Sequence, residues 1–253
     1  MKNTSRNILI TGATGGIGSA VARRFARNGD SLFLQGFSNS RAMFNLATEL
    51  AAITTSGGAF FDLSRTEEQD GLCEVAWNHF GDGGIHVLVQ CAGLDILTEP
   101  AKSLSYEGKL AGLLTVDVTA GMRIAREISR RMVESGKRGV ILNIGWDSLE
   151  RGVAGDSAEL FAAAKGAITA FSKSLAQKVA PTVRVNCVAP GWIETEWGSG
   201  APEAWRNRVL ADTLLGRWGT PEDVAETVFF LASDAAGFIN GQTIAVNGGV
   251  RSL

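Results

Sequence analysis

The chain is poor in the residues that build metal centres and covalent cross-links: its 253 residues include three cysteines and two histidines. Cys73, Cys91 and Cys187 are an odd number at spacings unlike those of zinc ligands, and His79 and His86 stand apart from them. Neither a structural metal nor a disulfide framework is expected. No apolar run reaches the roughly 18 residues that a membrane span requires. The opening "MKNTSRNILITGATGG" passes from a polar stub straight into a strand-like run, with no leader pattern. Lys and Arg total 24 against 26 Asp and Glu, and neither sign gathers into a block. A nucleic-acid footprint and a tether to anionic membrane are therefore not expected. Linkers, internal repeats and low-complexity tracts are missing too. These absences point to a soluble cytoplasmic protein with reduced thiols, built as one domain over residues 1–253.

What is present is an alternation. Short apolar runs at 7–11, 31–35, 85–90, 139–144, 183–188 and 243–246 are separated by segments of helical period at about 17–28, 41–53, 66–80, 107–135, 157–178 and 221–232. The runs lack polar alternation, as expected for strands covered by helices on both faces. The expected fold class is α/β, a single doubly wound Rossmann-type domain with a parallel sheet and its ligand site beyond the carboxyl ends of the strands.

"ITGATGGIG" follows the first strand directly and opens a helix. Gly12, Gly15, Gly16 and Gly18 fall where a backbone must turn sharply and approach a pyrophosphate held by helix N-terminal amides. The second strand ends "LQGFSNSR". Gly36 stands where an acid usually holds the ribose hydroxyls of NAD, whereas Ser38, Asn39 and Arg41 offer partners for a 2'-phosphate. The same residues also suit a polar helix cap. NADP(H) is the expected cofactor, with NAD(H) as the alternative.

Several separated motifs agree: "TGATGGIG", "DLS" at 62–64, "QCAG" at 90–93, "VNCVAPGWIETEW" at 185–197 and "RWGTPEDVAETVFFLASDAAGFINGQTIAVNGG". Together they resemble the short-chain dehydrogenase/reductase family, in particular its 3-oxoacyl-acyl-carrier-protein reductases. The resemblance implies that Gly12, Thr14, Gly15 and Ile17 line the pyrophosphate and that Asp62 and Leu63 meet the adenine. It places Cys91, Ala92 and Gly93 along the cofactor ribose, and Pro190, Gly191, Ile193 and Thr195 beside the nicotinamide. It further implies a homotetramer, or otherwise a dimer, paired through the long helices near 107–135 and 157–178 and completed by the C-terminal segment.

The same resemblance exposes a departure. Family members use an Asn, a Ser, a Tyr that donates the proton and a Lys that lowers the Tyr pKa and holds the nicotinamide ribose. Here "LFAAAKGAI" keeps Lys165 but carries Phe161 in the Tyr position, and the single tyrosine, Tyr106, is distant in sequence. Asp117 replaces the Asn. Two counts place the Ser differently: from the strand end it falls on Trp146, from Phe161 backwards on Ser148. Phe has no donor, and losing an acid is typically worth roughly 10²- to 10⁴-fold.

Asp147, Asp156 and Glu159 precede Phe161, and Asp147 is the substitute acid favoured here, since a buried carboxylic acid can donate. "DSAE" at 156–159 reads equally as a helix start. Trp146, Trp192 and Trp197 come from segments expected to face the substrate, which suits an apolar or aromatic ligand; the resemblance implies a small-molecule or acyl-carrier-bound substrate. Three functions follow: an NADP(H)-dependent oxidoreductase with an atypical donor, a nucleotide-binding sensor or partner subunit without turnover, or a lyase or isomerase using Asp117 or Asp147.

Overall fold

The run Asn7–Thr11 forms the first strand, β1, in a computed structural model that describes residues 5–195, 198 and 200–250. Helix α1 (Gly16–Arg27) follows, then β2 (Ser31–Gly36), α2 (Ser40–Ala51), β3 (Ser56–Phe60), α3 (Thr66–His79) and β4 (Val87–Gln90). The chain continues through α4 (Tyr106–Leu113), a π-helical turn (Leu114–Ala120), α5 (Gly121–Glu134), β5 (Gly139–Ile144) and α6 (Asp156–Val179). It ends with β6 (Val183–Pro190), α7 (Glu203–Asp212), α8 (Pro221–Leu231) and β7 (Thr243–Val246).

The strands form one parallel sheet of seven in the order β3-β2-β1-β4-β5-β6-β7. Alternation along β1 explains the layers. Ile8 and Ile10 face a core shared with Val21 and Phe25 of α1 and Val224 and Val228 of α8. Leu9 faces the opposite core, with Leu72 of α3, Ile124 and Ile128 of α5 and Leu175 of α6. Both faces are therefore buried, which a parallel sheet requires. The expected fold class is the observed one.

Two elements lay outside the sequence expectation. β3 is "SGGAF", half-exposed at the sheet edge and paired with β2. α7 is charged and shows little apolar periodicity; it buries Val209 in a satellite cluster with Trp218, Trp192 and Trp205. The expected helix 107–135 is also interrupted: α4 and α5 join through seven residues of wider π turn. No helix among the described residues is long and apolar enough to cross a membrane.

β1 and β4 are neighbours at the point where the strand order reverses. The loops leaving their carboxyl ends diverge there, opening the crevice in which doubly wound sheets bind ligands.

Candidate functional site

The crevice is lined first by the turn after β1. Gly12 has φ +62°, and a Cβ there would sit 2.6 Å from the Ala92 backbone, so the β1 and β4 loops touch with no room for a side chain. Gly18 likewise lies against the Gly12 carbonyl, at 2.2 Å from where a Cβ would be. Gly15, by contrast, is exposed, and a Cβ would meet nothing closer than 3.5 Å. α1 starts without a side-chain cap and without an acid in its first turn, whereas Asn39, Ser105 and Thr220 cap α2, α4 and α8. An uncapped, open helix start fits an anion.

A residue that the sequence reading passed over holds this turn. Gln35, buried at the end of β2, accepts from the Gly12 amide through Oε1 at 2.9 Å and donates through Nε2 to the carbonyls of Gly36 and Phe61. A glutamine inside an apolar strand is the signal that could have found it, because a buried amide needs partners.

Beyond β2, a Cβ on Gly36 would lie 2.7 Å from Met43 Cε, so a side chain there would require Met43 to move. Ser38 and Arg41 are exposed, while the Asn39 carboxamide accepts from the Ala42 amide as the α2 cap. Asp62 accepts from the Ser64 amide at 2.9 Å, and its own amide donates to Glu68. Leu63 is buried. Thr14 and Ile17 are half-buried, and the Thr195 methyl reaches the helix start, 3.1 Å from a Cβ placed on Gly16. Pro190 ends β6, and Ile193 is buried beside Gly219. Trp197 lies outside the described residues.

Lys165 and Asp117 meet across the crevice. Lys165 Nζ lies 3.0 Å from Asp117 Oδ2, and the two side chains are 9% and 0% exposed. The contact is one of charge: Oδ2 makes no hydrogen bond, while Oδ1 accepts from the Leu94 amide at 2.8 Å. Lys165 also donates to the Ile144 carbonyl at 3.3 Å, leaving further N–H donors for a ligand. The π turn carries Asp117 inward, behind the exposed Gly93, whose absent Cβ would be 2.8 Å from Oδ2. Such turns often mark functional positions. Thr11, Gln90, Asn143, Asp117 and Lys165 share a cavity of about 10 Å³, roughly the size of one water.

Above the lysine the surroundings are aromatic. Lys165 Nζ stands 5.3 Å from the centre of the Phe161 ring, and the Trp146 ring meets Phe161 edge-on at 5.5 Å and 74°. Trp146, rather than Ser148, thus faces the Phe161 position. Ser148 is buried and donates to Asp147 Oδ1 at 2.8 Å. Asp147 Oδ2 accepts from Arg151 Nη2 at 2.9 Å and from Asn247 Nδ2 at 3.0 Å, with the side chain 2% exposed. Both oxygens are occupied. Asp156 and Glu159 sit in the first turn of α6. Trp192 packs with Trp205 and Trp218 at 5.2 and 6.2 Å, away from the Trp146 pair. Tyr106 starts α4, exposed; burial and the nearby Glu159 charge push its phenol up, which makes it a weaker acid.

Their surroundings make the thiols weak acids. Burial pushes Cys91 up to about 12, with Lys165 working against it, and pushes Cys73 up to about 12 as well.

Comparison with known proteins identifies the family. A family model described as enoyl-(acyl carrier protein) reductase matches residues 12–251. Nodulation protein G of Rhizobium meliloti is 33% identical over 99% of this chain and 98% of its own. The 3-oxoacyl-[acyl-carrier-protein] reductase FabG of Vibrio cholerae is 32% identical over 97% of each. The crystal structure of a tryptophan-substituted actinorhodin polyketide ketoreductase with NADPH superposes with a TM-score of 0.85, 28% identity and 97% coverage of both chains. With agreement along nearly its whole length, the chain belongs to the short-chain dehydrogenase/reductase family and is similar to its FabG-type oxidoreductases.

Proposed function

We propose that the protein is an NADPH-dependent oxidoreductase, NADH being the alternative, that interconverts a carbonyl and an alcohol on an apolar, 3-oxoacyl-like substrate. The observation that carries this reading is Lys165, fixed by buried Asp117 beside an open, uncapped glycine turn. The residues fit a dinucleotide. The α1 start would hold the pyrophosphate, Asp62 and Leu63 the adenine, and Ser38 and Arg41 a 2'-phosphate. Cys91, Ala92, Gly93 and Lys165 would hold the nicotinamide ribose, and Gly191, Ile193 and Thr195 the carboxamide. The bound cofactor would supply or accept a hydride. Lys165 would orient it, and Trp146 and Phe161 would keep water from the reacting face. FabG relatives act on acyl-carrier-bound substrates by name, which supports a 3-oxoacyl thioester here.

A second reading, nucleotide binding without turnover, is favoured by one observation: the Tyr position is a ring packed on Trp146, and the Ser148 hydroxyl proton is already given to Asp147. The lyase or isomerase alternative finds Asp147 fully engaged and Asp117 behind Lys165.

NADPH at about 100 times its Kd stabilises by about 2.7 kcal/mol, which for a domain of this size raises Tm by roughly 5–10 °C. Gly12→Ala, introducing a Cβ into the Ala92 backbone, should abolish the shift. A flat melting curve for the unaltered protein would refute nucleotide binding; a shift without turnover on any ketone or alcohol would select the second reading.

A further inference from the structure

The loop after β5 holds a cation to which the hydride chemistry above gives no part. Arg151 lies four residues after Asp147 and is 38% exposed. Its Nη2 donates to Asp147 Oδ2 and to Ser148 Oγ, each at 2.9 Å. Its Nε and Nη1 donors have no partner among the described residues. Asp147 anchors it from below: the carboxylate also accepts from Asn247, beyond β7, and lies 3.4 Å from where a Cβ on Gly191, beyond β6, would be. One buried acid thus ties together the segments leaving β5, β6 and β7, all at the carboxyl edge where ligands bind. The 3₁₀ turn 147–149 packs on α6, the helix that carries Phe161 and Lys165, directly after Trp146.

The serine hydroxyl gives its one proton to Asp147 while accepting from Arg151, and cannot also donate to a substrate oxygen. The phenol is replaced by a ring. With Lys165 given to the nicotinamide ribose, the guanidinium is the other cation at this edge among the described residues, held in orientation by Asp147 and Ser148 and with donors to spare.

Resting on the oxidoreductase reading, we infer that Arg151 binds the oxygen of the substrate's reacting carbonyl, with Asp147 as its positioning residue. As hydride from a reduced nicotinamide adds to the carbonyl carbon, the C=O electron pair settles on oxygen. Arg151 stabilises that alkoxide, and a solvent water reaching it along the 38% exposed Arg151, the side that Trp146 and Phe161 do not cover, gives up a proton, leaving an alcohol, hydroxide and oxidised nicotinamide. Guanidinium donors act where charge develops, and removing one such donor typically costs about 10²- to 10³-fold.

The test uses the full chain, NADPH and the N-acetylcysteamine thioester of acetoacetate. NADPH affinity and thioester affinity are read from tryptophan fluorescence, and turnover from NADPH absorbance. Arg151→Ala should lower kcat/KM about 100-fold or more and weaken thioester binding, leaving NADPH affinity within about twofold. Added guanidinium ion should restore part of the rate, a rescue that a structural role would not give; Arg151→Lys should retain an intermediate rate. Asp147→Asn should lower kcat more than it raises KM. Unchanged turnover and thioester binding in Arg151→Ala would overturn the inference. So would an unaltered protein that binds NADPH yet neither binds nor reduces the thioester. Failure to bind NADPH at all would instead remove the oxidoreductase reading, so the two failures are distinguishable.

Discussion

At the scale of single residues, the site shows substitutions that belong together. Phe161 removes the phenol, Trp146 fills the space beside it, and Asp117 supplies a charge opposite Lys165. Restoring the tyrosine alone would place its hydroxyl beside an indole rather than a serine. Phe161→Tyr is therefore expected to raise ketone reduction less than about tenfold, and Phe161→Tyr with Trp146→Ser by about 10²-fold, measured as kcat/KM on one ketone. A full recovery by the single change would show that Trp146 is not an obstacle. Much of this was legible in the letters: the missing Tyr, the Asp117 change and the retained Lys165 can all be read from motif positions. The choice between Trp146 and Ser148 could not, because it depends on which way a lengthened loop turns its side chains. Nor did any motif mark Arg151 or Gln35, whose roles rest on hydrogen-bond partners that no sequence pattern displays. The thiols give a further residue-scale expectation. With Cys73 and Cys91 pushed up to about 12 and Cys187 raised by burial, native protein should react with less than about one equivalent of a thiol reagent at pH 8 within minutes. Denatured protein should react with three.

At the scale of elements, the strongly periodic segments were legible and the weakly patterned ones were not. β3 has glycines where strands carry branched residues, and it is a strand because β2 offers it an edge. α7 shows no clear apolar stripe because it covers a small cluster rather than the main core. α8 illustrates the opposite case: Thr220 and Asp223 form a reciprocal capping box with Pro221 inside it. The Arg217 guanidinium hydrogen-bonded to Asp223 holds its carboxyl down to about 2, burial opposing it and the Thr220 amide assisting. Since the folded value lies below the ordinary 3.8, this stabilisation is present above that pH and is lost as pH falls towards 2. The pair is partly exposed, so it contributes about 1 kcal/mol or less. Urea unfolding between pH 4 and 2 should lose stability less steeply for Asp223→Asn than for the unaltered chain; equal slopes would refute the assignment.

At the scale of the whole molecule, the parallel sheet buries both faces but leaves β7 at one border with no strand beyond it among the described residues. Phe238, just before β7, is fully exposed, and Phe230 of α8 is nearly half exposed. Apolar side chains beside a free strand border favour self-association. A tetramer, or failing that a dimer, is the expected species at micromolar concentration. Light scattering gives the answer directly: a mass near the 26.7 kDa of one chain would contradict it. Phe238→Asp should then lower the mass while leaving NADPH affinity intact.

The π turn at 114–120 sets a constraint on how this protein can change. Its wider winding lets one continuous rod serve two ends: Asp117 looks towards Lys165, while Ile124, Ile128 and Met132 still press on the sheet. Deleting one residue there to regularise the rod would turn everything beyond it by about 100°. Either the carboxylate would leave the lysine or the greasy stripe would leave the strands. Length variation among sequences descended from this one should therefore avoid those seven positions and collect in the loop that follows β5.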